Sequence, residues 1–241
     1  MRILVTNDDG IGASQLPALV KWCQKLGEVT VVAPKFEQSG KSHGIEIHKP
    51  FEAKKVDLVP GVTAWSVDST PADCVRFAVL GMGMEFDLVI SGINRGLNIG
   101  ADIMYSGTVS AVCEAVNLGI KAIAFSTAPK YYEQAVTQLD LAYGYIQEKG
   151  LLEMGNIYNV NIPGEPKGIR ITRQGGPYYS DDFLPQENDL YKPTGKPVYT
   201  YAGKENLDTE SVLTRHEISI MPLTTQRVDM DIYNQLKALN P

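Results

Sequence analysis

Short apolar runs alternate with stretches of helical spacing up to Gly164. Residues 3–5 form one such run, and apolar side chains then recur at helical spacing over 16–23. A short apolar run closed by turn residues is typical of a buried strand, so the alternation predicts βαβ units with parallel strands. The predicted strands cover 3–5, 29–33, 87–90, 122–125 and 157–162, and the predicted helices cover 14–26, 71–80, 106–118 and 131–149.

The βαβ order predicts an α/β fold with a doubly wound, mainly parallel sheet. Residues 45–68 alternate between apolar and polar positions and are interrupted by Pro and Gly. This pattern favours short antiparallel strands that are added to the edge of the sheet.

The pattern changes after Gly164. Residues 175–197 are rich in Gly, Pro, Tyr and Asp and show no apolar period, which is typical of a functional arm, a lid or a disordered loop. We therefore divide the chain into a core at 1–164 and a β-rich C-terminal extension at 165–241. The extension also contains predicted strands at 198–201 and 218–220 and a final helix with Val228, Ile232, Leu236 and Leu239 on one face.

Composition narrows the class of protein. The chain has 241 residues, 44% of them hydrophobic, and a net charge of −6, so it can bury a sizeable core and lacks the positive charge that binding a nucleic-acid polymer requires. Its three cysteines include no CxxC pair and indicate reduced thiols. With no signal peptide and no apolar run of membrane length, we expect a cytoplasmic protein without a membrane partner.

The first candidate site lies at the end of the first predicted strand, where Asp8 and Asp9 are adjacent. Open α/β sheets bind their ligands at the carboxyl ends of the strands. Two carboxylates this close repel each other, and a divalent metal between them would relieve the repulsion. The alternative is an ordinary capped turn, because Asp and Asn favour turns.

Two further loops are predicted at the same edge of the sheet. One carries Ser39, and the other carries Asn94 and Asn98. Carboxylate, amide and hydroxyl oxygens are hard ligands that suit Mg²⁺, Mn²⁺ or Ca²⁺, whereas zinc and copper prefer thiolates or imidazoles. Taken singly, Ser39 and Asn94 are also typical turn residues.

A predicted helix begins at Ser106, Gly107 and Thr108, close to the same loops. Free N–H groups at a helix start attract anions, which makes this segment a candidate phosphate site; the alternative is an ordinary Ser N-cap. His43 is the one histidine in these loops, and it is either a proton donor or an exposed loop residue.

Four motifs together resemble the stationary-phase survival protein SurE family. They are ILVTNDDG at the start, QSG around Ser39, SGINRGLNIGADIMYSGTVSAVCEA in the middle and ISIMPL near the end, so the resemblance runs through essentially the whole chain. It implies a Rossmann-like core and metal-dependent hydrolysis of nucleoside 5′- or 3′-monophosphates, with polyphosphate as a further substrate of some members. The chain departs from the usual family pattern at 41–44, at 114–115 and at 216–217.

The resemblance also implies roles for individual residues and for the extension. One divalent ion per subunit, Mg²⁺ or Mn²⁺ with Ca²⁺ as an alternative in crystals, is expected on Asp8, Asp9, Ser39 and Asn94. The implied phosphate pocket comprises Asn98, Ser106, Gly107 and Thr108. The C-terminal extension is expected to exchange its arm and final helix between subunits of a homodimer or homotetramer.

We favour attack by a metal-activated water, with Asp8 and Asp9 as the catalytic carboxylates. His43 is a candidate proton donor for the leaving group. In a competing mechanism Asp8 forms an aspartyl-phosphate, although that chemistry normally uses a second Asp two residues on, where this chain has Gly10. The same fold could also belong to a nucleotide-binding module without activity or to an assembly protein.

Overall fold

The structure, a computed structural model, describes residues 1–199, 203 and 206–239. The strands are β1 (Arg2–Thr6), β2 (Glu28–Pro34), β3 (Ala53–Val56), β4 (Thr63–Val67), β5 (Leu88–Arg95), β6 (Lys121–Thr127), β7 (Ile157–Ile162), β8 (Gly168–Ile171), β9 (Tyr179–Pro185), β10 (Tyr191–Pro197) and β11 (Glu217–Pro222). The α-helices are α1 (Leu16–Cys23), α2 (Pro71–Arg76), α3 (Gly107–Asn117), α4 (Leu139–Glu148), α5 (Leu151–Met154), α6 (Asp208–Leu213) and α7 (Met230–Leu236). A π-helical turn at Phe77–Gly81 extends α2, and 3₁₀ segments cover Gly100–Tyr105, Pro129–Gln138 and Lys237–Leu239.

Within this described part of the chain, one sheet has the order β3-β4-β2-β1-β5-β6-β7-β11-β8. The strands from β4 to β7 in that order are parallel, while β3 and β11 run antiparallel to β4 and β7. The predicted α/β fold with a doubly wound, mainly parallel sheet is confirmed. The strand order reverses between β1 and β5, which is where such sheets bind ligands.

Helices cover both faces of the sheet because successive side chains of a strand point to opposite faces. In β1, Ile3 and Val5 join the apolar cluster that includes α1 and α4, whereas Leu4 joins the cluster under α2 and α3. This arrangement explains why the strands appear as continuous apolar runs in the sequence.

The prediction for residues 45–68 was partly wrong. Residues 45–52 contain no strand, and β4 runs parallel to β2; only β3 is antiparallel to its neighbour. Alternating hydrophobicity reports one buried face and carries no information on strand direction.

The helix predicted at 131–149 is a 3₁₀ segment followed by α4. Ser14 does not cap α1, since its hydroxyl donates to Glu133 across 3.1 Å. Gln15 precedes α1 without a side-chain cap bond among the described residues. By contrast, the predicted start of α3 is confirmed, because Ser106 Oγ accepts the N–H of Val109 at 3.1 Å.

Residues 179–197 form an antiparallel hairpin, β9–β10, rather than an irregular loop. Nearly all of its side chains are exposed, so no apolar period marks it in the sequence. Val198 and Tyr199 are not in a strand, and the rest of the strand predicted at 198–201 lies outside the described residues.

Two aspartates fix the base of this hairpin to the core. Asp102 Oδ2 accepts the backbone N–H groups of Tyr178 and Tyr179 at 3.0 and 2.9 Å. Asp208, which is fully buried, accepts those of Gly100 and Gly175 at 2.8 and 2.7 Å. The base of the hairpin is therefore bonded to the segment that leads into α3.

Besides the hairpin, the described part of the extension contains a strand and an α-helix that the sequence did not predict, β8 and α6. The helix α6 buries the polar side chains of Asp208, Thr209, Glu210 and Ser211, so it lacks an apolar stripe. Both β8 and β11 continue the sheet of the core. The division at 164/165 stays a prediction.

The final helix is confirmed over Met230–Leu236, and its apolar side chains are exposed. Cys23, Cys74 and Cys113 are free thiols, as predicted. No described helix is both long and apolar enough to cross a membrane.

Candidate metal and phosphate site

Asp8 and Asp9 lie in a tight turn directly after β1. The side chain of Asn7 closes this turn, since its amide donates to the carbonyl of Gly10 at 2.9 Å and its Oδ1 accepts the N–H of Gly10 at 3.1 Å. The φ of Gly10 is +93°, a conformation that residues with a Cβ rarely adopt. The NDDG sequence therefore folds locally into a rigid turn that presents two adjacent carboxylates.

Asp8 is only 3% exposed and packs against the start of α3. The hydroxyl of Thr108 donates to Asp8 Oδ1. A Cβ at Gly107 would lie 2.8 Å from the Cβ of Asp8, so only glycine allows the helix to approach this closely. The turn that carries Asp8 and Asp9 is thus in direct contact with the helix start that was predicted to bind phosphate.

Burial raises the pKa of the Asp8 carboxyl, although the Thr108 hydroxyl opposes this effect. The pKa of Asp9 is raised to about 6, first by burial and then by the negative charge of Asp8. Ionising both groups is unfavourable without a cation, and a bound cation would reverse that balance.

The end of β5 brings Asn94 next to this pair. Asp9 Oδ2 accepts the backbone N–H of Arg95 at 3.0 Å. The amide nitrogen of Asn94 donates to the carbonyl of Gly96 at 2.9 Å, which leaves its Oδ1 as the available oxygen. This oxygen is a neutral ligand of the kind that a hard cation accepts.

Ser39 reaches the site on the loop after β2. The backbone N–H of Gln38 donates to the carbonyl of Asp8 at 2.8 Å and fixes the loop beside the turn. The Ser39 hydroxyl donates to Glu37 Oε1 at 2.7 Å, and its lone pairs remain available to a cation. A cleft of about 580 Å³ is lined by Asp9, Gly12, Ala13, Ser14, Glu37, Ser39, Arg95, Pro129 and Tyr132.

This donor set fits a hard divalent cation. No three His, Cys, Asp or Glu side chains among the described residues form a metal-binding group. A metal here would therefore use the two carboxylates together with neutral oxygens from Ser39 and Asn94, and such mixed oxygen ligands suit Mg²⁺ and Mn²⁺.

Asn98 is buried in the loop that follows β5. Its amide nitrogen donates to Ser126 Oγ at 2.8 Å, and its backbone carbonyl accepts the amides of Asn159 and Asn161, both at 2.8 Å. The second hydrogen of the Asn98 amide is not used in these contacts, so the residue retains a donor for an anion.

His43 does not line the cleft. Its Nε2 lies 2.8 Å from Oε2 of Glu114, a residue of α3, and Arg76 donates to the other oxygen of Glu114 at 2.9 Å. The side chain of Glu114 is only 9% exposed. The role of His43 as a proton donor stays a prediction.

Sequence reasoning missed several residues of the site. Glu37 and Arg95 are charged residues in the loops that were predicted to carry Ser39 and Asn94. Their position in these loops could have identified them as residues of the site. Tyr132 belongs to a 3₁₀ segment and reaches the cleft from a different part of the chain. No local pattern marks it.

The chain is similar in sequence to known proteins over nearly all of its length. The family model described as Survival protein SurE matches residues 3–181. The chain is 38% identical to 5′-nucleotidase SurE of Natranaerobius thermophilus, over 98% of this chain and 97% of that one. It is 39% identical to 5′-nucleotidase SurE 1 of Thermus thermophilus, over 100% of this chain and 97% of that one.

A solved structure shows the same likeness in three dimensions. The crystal structure of the SurE protein from Aquifex aeolicus matches with a TM-score of 0.81 and 32% identity, over 99% of each chain. The chain belongs to the SurE family.

Proposed function

We propose that this protein is a 5′-nucleotidase, a divalent-metal-dependent phosphatase that hydrolyses nucleoside 5′-monophosphates in the cytoplasm. The observation that carries the proposal is the buried Asp8 carboxylate, adjacent to Asp9 and packed against the start of α3. This contact supports a cation site that adjoins an anion site. The name 5′-nucleotidase borne by its full-length relatives supports the reaction.

In this proposal Asp8, Asp9, Ser39 and Asn94 hold Mg²⁺ or Mn²⁺. When bound, the cation supplies Lewis acidity, which withdraws charge from the phosphoryl group and acidifies water. Asp8 is the more buried of the two carboxylates, and its Oδ1 is held by Thr108. Asp9 lines the open cleft and is placed to orient the attacking water.

The start of α3 binds the phosphoryl oxygens. The backbone N–H of Gly107 and the amide of Asn98 donate to these oxygens and stabilise the negative charge that develops during attack. The hydroxyl and the backbone N–H of Thr108 hold the carboxylate of Asp8 beside them. Ser106 caps the helix through its own hydroxyl, so its part is to hold the helix start in place.

The cleft beyond Asp9 receives the nucleoside. Arg95 is exposed at its edge and Tyr132, only 6% exposed, forms part of its wall. The guanidinium adds positive charge near the phosphate, where the protein as a whole carries a net charge of −6.

Replacing Arg95 by Ala should therefore raise the KM for a nucleoside monophosphate about fivefold, as expected for one partly exposed charge contact, and leave kcat nearly unchanged. The backbone contact from residue 95 to Asp9 is retained in the variant. Steady-state kinetics test this, with Lys149→Ala at the exposed end of α4 as the matched control. An unchanged KM would remove Arg95 from the substrate site.

We also propose that the chain forms a homodimer or homotetramer through its extension. The hairpin and the final helix expose large apolar side chains: Phe183, Leu184, Leu190, Tyr191, Met230, Ile232, Tyr233 and Leu236. A concentration of exposed apolar side chains favours an interface, and exchange of such arms between subunits would bury them.

Removing residues from Gln226 onward should reduce the mass of the particle in solution, because the apolar face of α7 is lost. Light scattering coupled to size-exclusion chromatography measures this mass directly. The same mass before and after truncation would show that the final helix is not an interface.

Phosphate release from a panel of substrates tests the proposed function. The panel contains nucleoside 5′- and 3′-monophosphates, sugar phosphates and short polyphosphate, each with Mg²⁺, with Mn²⁺ and with EDTA. We expect release that prefers nucleotides and disappears in EDTA. Release that persists in EDTA would favour an aspartyl-phosphate at Asp8, and no release with any metal would favour a nucleotide-binding module.

A further inference from the structure

The loop that carries Ser39 has no regular structure, and the span around Ser39 is held at two points. On one side the N–H of Gln38 donates to the carbonyl of Asp8 at 2.8 Å. On the other side the N–H and hydroxyl of Ser42 donate to the carbonyls of Tyr105 and Met104, at 3.0 and 2.7 Å. Only Ser39, Gly40 and Lys41 lie between these points, so the position of Ser39 depends on both of them. Beyond His43, the hydroxyl of Thr70 also donates to the carbonyl of Gly44 at 2.7 Å.

The second point contains a strained residue. Ser42 has a φ of +54°, in the left-handed region that residues with a Cβ rarely adopt. Gly40, with a φ of +70°, adds flexibility inside the short span. A restraint next to Ser42 would therefore help to keep Ser39 in place.

His43 provides that restraint on the residue next to Ser42. The carboxylate of Glu114 can only accept, so Nε2 of His43 donates to it across 2.8 Å. Arg76 from α2 holds the other oxygen of Glu114 at 2.9 Å, and the Glu114 side chain is only 9% exposed. The imidazole is therefore bonded to a fixed, largely buried partner on α3, the helix that also carries Thr108.

We propose that His43 is a positioning residue that holds Ser39 in place through Glu114, and that it is not the proton donor to the leaving group. This inference rests on the proposed function, because it takes Ser39 as a metal ligand. The geometry supports it on two counts: Nε2 is occupied by Glu114, and His43 is absent from the residues that line the cleft.

Mn²⁺ binding to the protein without substrate gives the direct test, by isothermal titration calorimetry on His43→Ala and His43→Gln. The Gln amide nitrogen can occupy the place of Nε2 and keep the bond to Glu114, whereas Ala cannot. We expect the Kd for Mn²⁺ to rise about tenfold in H43A, because losing a residue that holds a metal ligand in place typically weakens metal binding by that factor. In H43Q the Kd should stay within about twofold of the wild-type value. His48→Ala, in an exposed loop of the same region, is the matched control.

Kinetics with two leaving groups separate positioning from proton transfer. A proton donor matters for a nucleoside leaving group and hardly at all for the acidic phenol of p-nitrophenyl phosphate. We expect H43A to lose the same factor with both substrates at low Mn²⁺ and to regain its kcat at saturating Mn²⁺. If H43A does not fold, Glu114→Gln and H43Q test the same contact.

Three outcomes would count against the assignment. Loss of kcat in both H43A and H43Q with nucleotides only, at an unchanged Kd for Mn²⁺, would make His43 the proton donor. If H43A behaves like the wild type in both assays, His43 has no role in positioning Ser39 or in proton transfer. A wild-type protein that binds no Mn²⁺ would overturn the proposed function itself.

Discussion

Replacing Asp9 by Asn is expected to abolish metal-dependent phosphate release and, at the same time, to stabilise the metal-free protein. The loss of activity should be at least about 100-fold, since even outer partners of a metal ligand are worth about 10 to 100-fold in affinity or rate. The gain in stability follows from the repulsion between Asp8 and Asp9, which the neutral amide removes.

The sign of this effect follows from the pKa of Asp9, which burial and the charge of Asp8 raise to about 6 in the folded chain. The pKa of Asp in an unfolded chain is about 4. The folded state therefore binds this proton more tightly, and the stability that the protonated group contributes is lost as the pH rises from about 4 to about 6. Above that range the wild type is destabilised by the full cost of ionising Asp9 in the folded state. D9N has a neutral side chain at this position and is not destabilised in this way.

Thermal unfolding in EDTA measures the difference. The melting temperature of D9N should exceed that of the wild type by about 2–4 °C at pH 7.5, the shift that about 1 kcal/mol produces in a chain of this size, and the gap should close toward pH 4. Adding Mn²⁺ should reverse the order, because only the wild type binds it well. Asp57→Asn, at an exposed position, is the control.

Near-normal phosphate release by D9N would refute the metal site. A melting temperature that falls at pH 7.5 would instead show that the carboxylate stabilises the fold, and the geometry of the Asp8–Asp9 turn would need another explanation.

Replacing Gly107 by Ala should reduce kcat/KM about 100-fold, the cost of a displacement of about 1 Å in an active site. The added methyl group would lie 2.8 Å from the Cβ of Asp8 and 3.0 Å from Cγ of Pro71. Either the carboxylate or the start of α3 must move, and each of them is part of the proposed site. Steady-state kinetics at saturating Mn²⁺ measures the loss.

A second glycine provides the matched control. Gly144 lies in α4, and no described atom is within 4 Å of the place that its Cβ would occupy. Because Ala is preferred to Gly inside a helix, Gly144→Ala should stabilise the protein by about 0.5–1 kcal/mol and leave the activity unchanged. Full activity in G107A would show that the close approach of α3 to Asp8 has no part in the reaction.

The parallel core was predictable because each strand is buried on both faces and each crossover helix carries an apolar stripe. The contact between Asp8 and Thr108 was predictable in outline, since parallel strands end at the same edge of the sheet. The direction of β4 and the hairpin at 179–197 were not, because an exposed or one-sided strand leaves no period that reports its partner.

The side chains that orient the site were also beyond local sequence reasoning. Tyr132 and Glu114 come from segments distant in the chain, and only the packing of α3 and the 3₁₀ segment brings them near the loops. Helix α6 shows the general limit, because four of its five buried side chains are polar, so no apolar stripe marks the helix in the sequence.

The two aspartates at the base of the hairpin have a consequence for how this surface can vary. Asp102 accepts hydrogen bonds from the backbone N–H groups of Tyr178 and Tyr179, which every residue type except proline provides. Asp208 accepts the N–H of Gly175, which lies before the hairpin and where a Cβ would collide with Thr209. The side chains of the hairpin are therefore free to diverge while the point where it leaves the core stays fixed. Residues on β9 and β10 can therefore change without moving the segment that leads into α3.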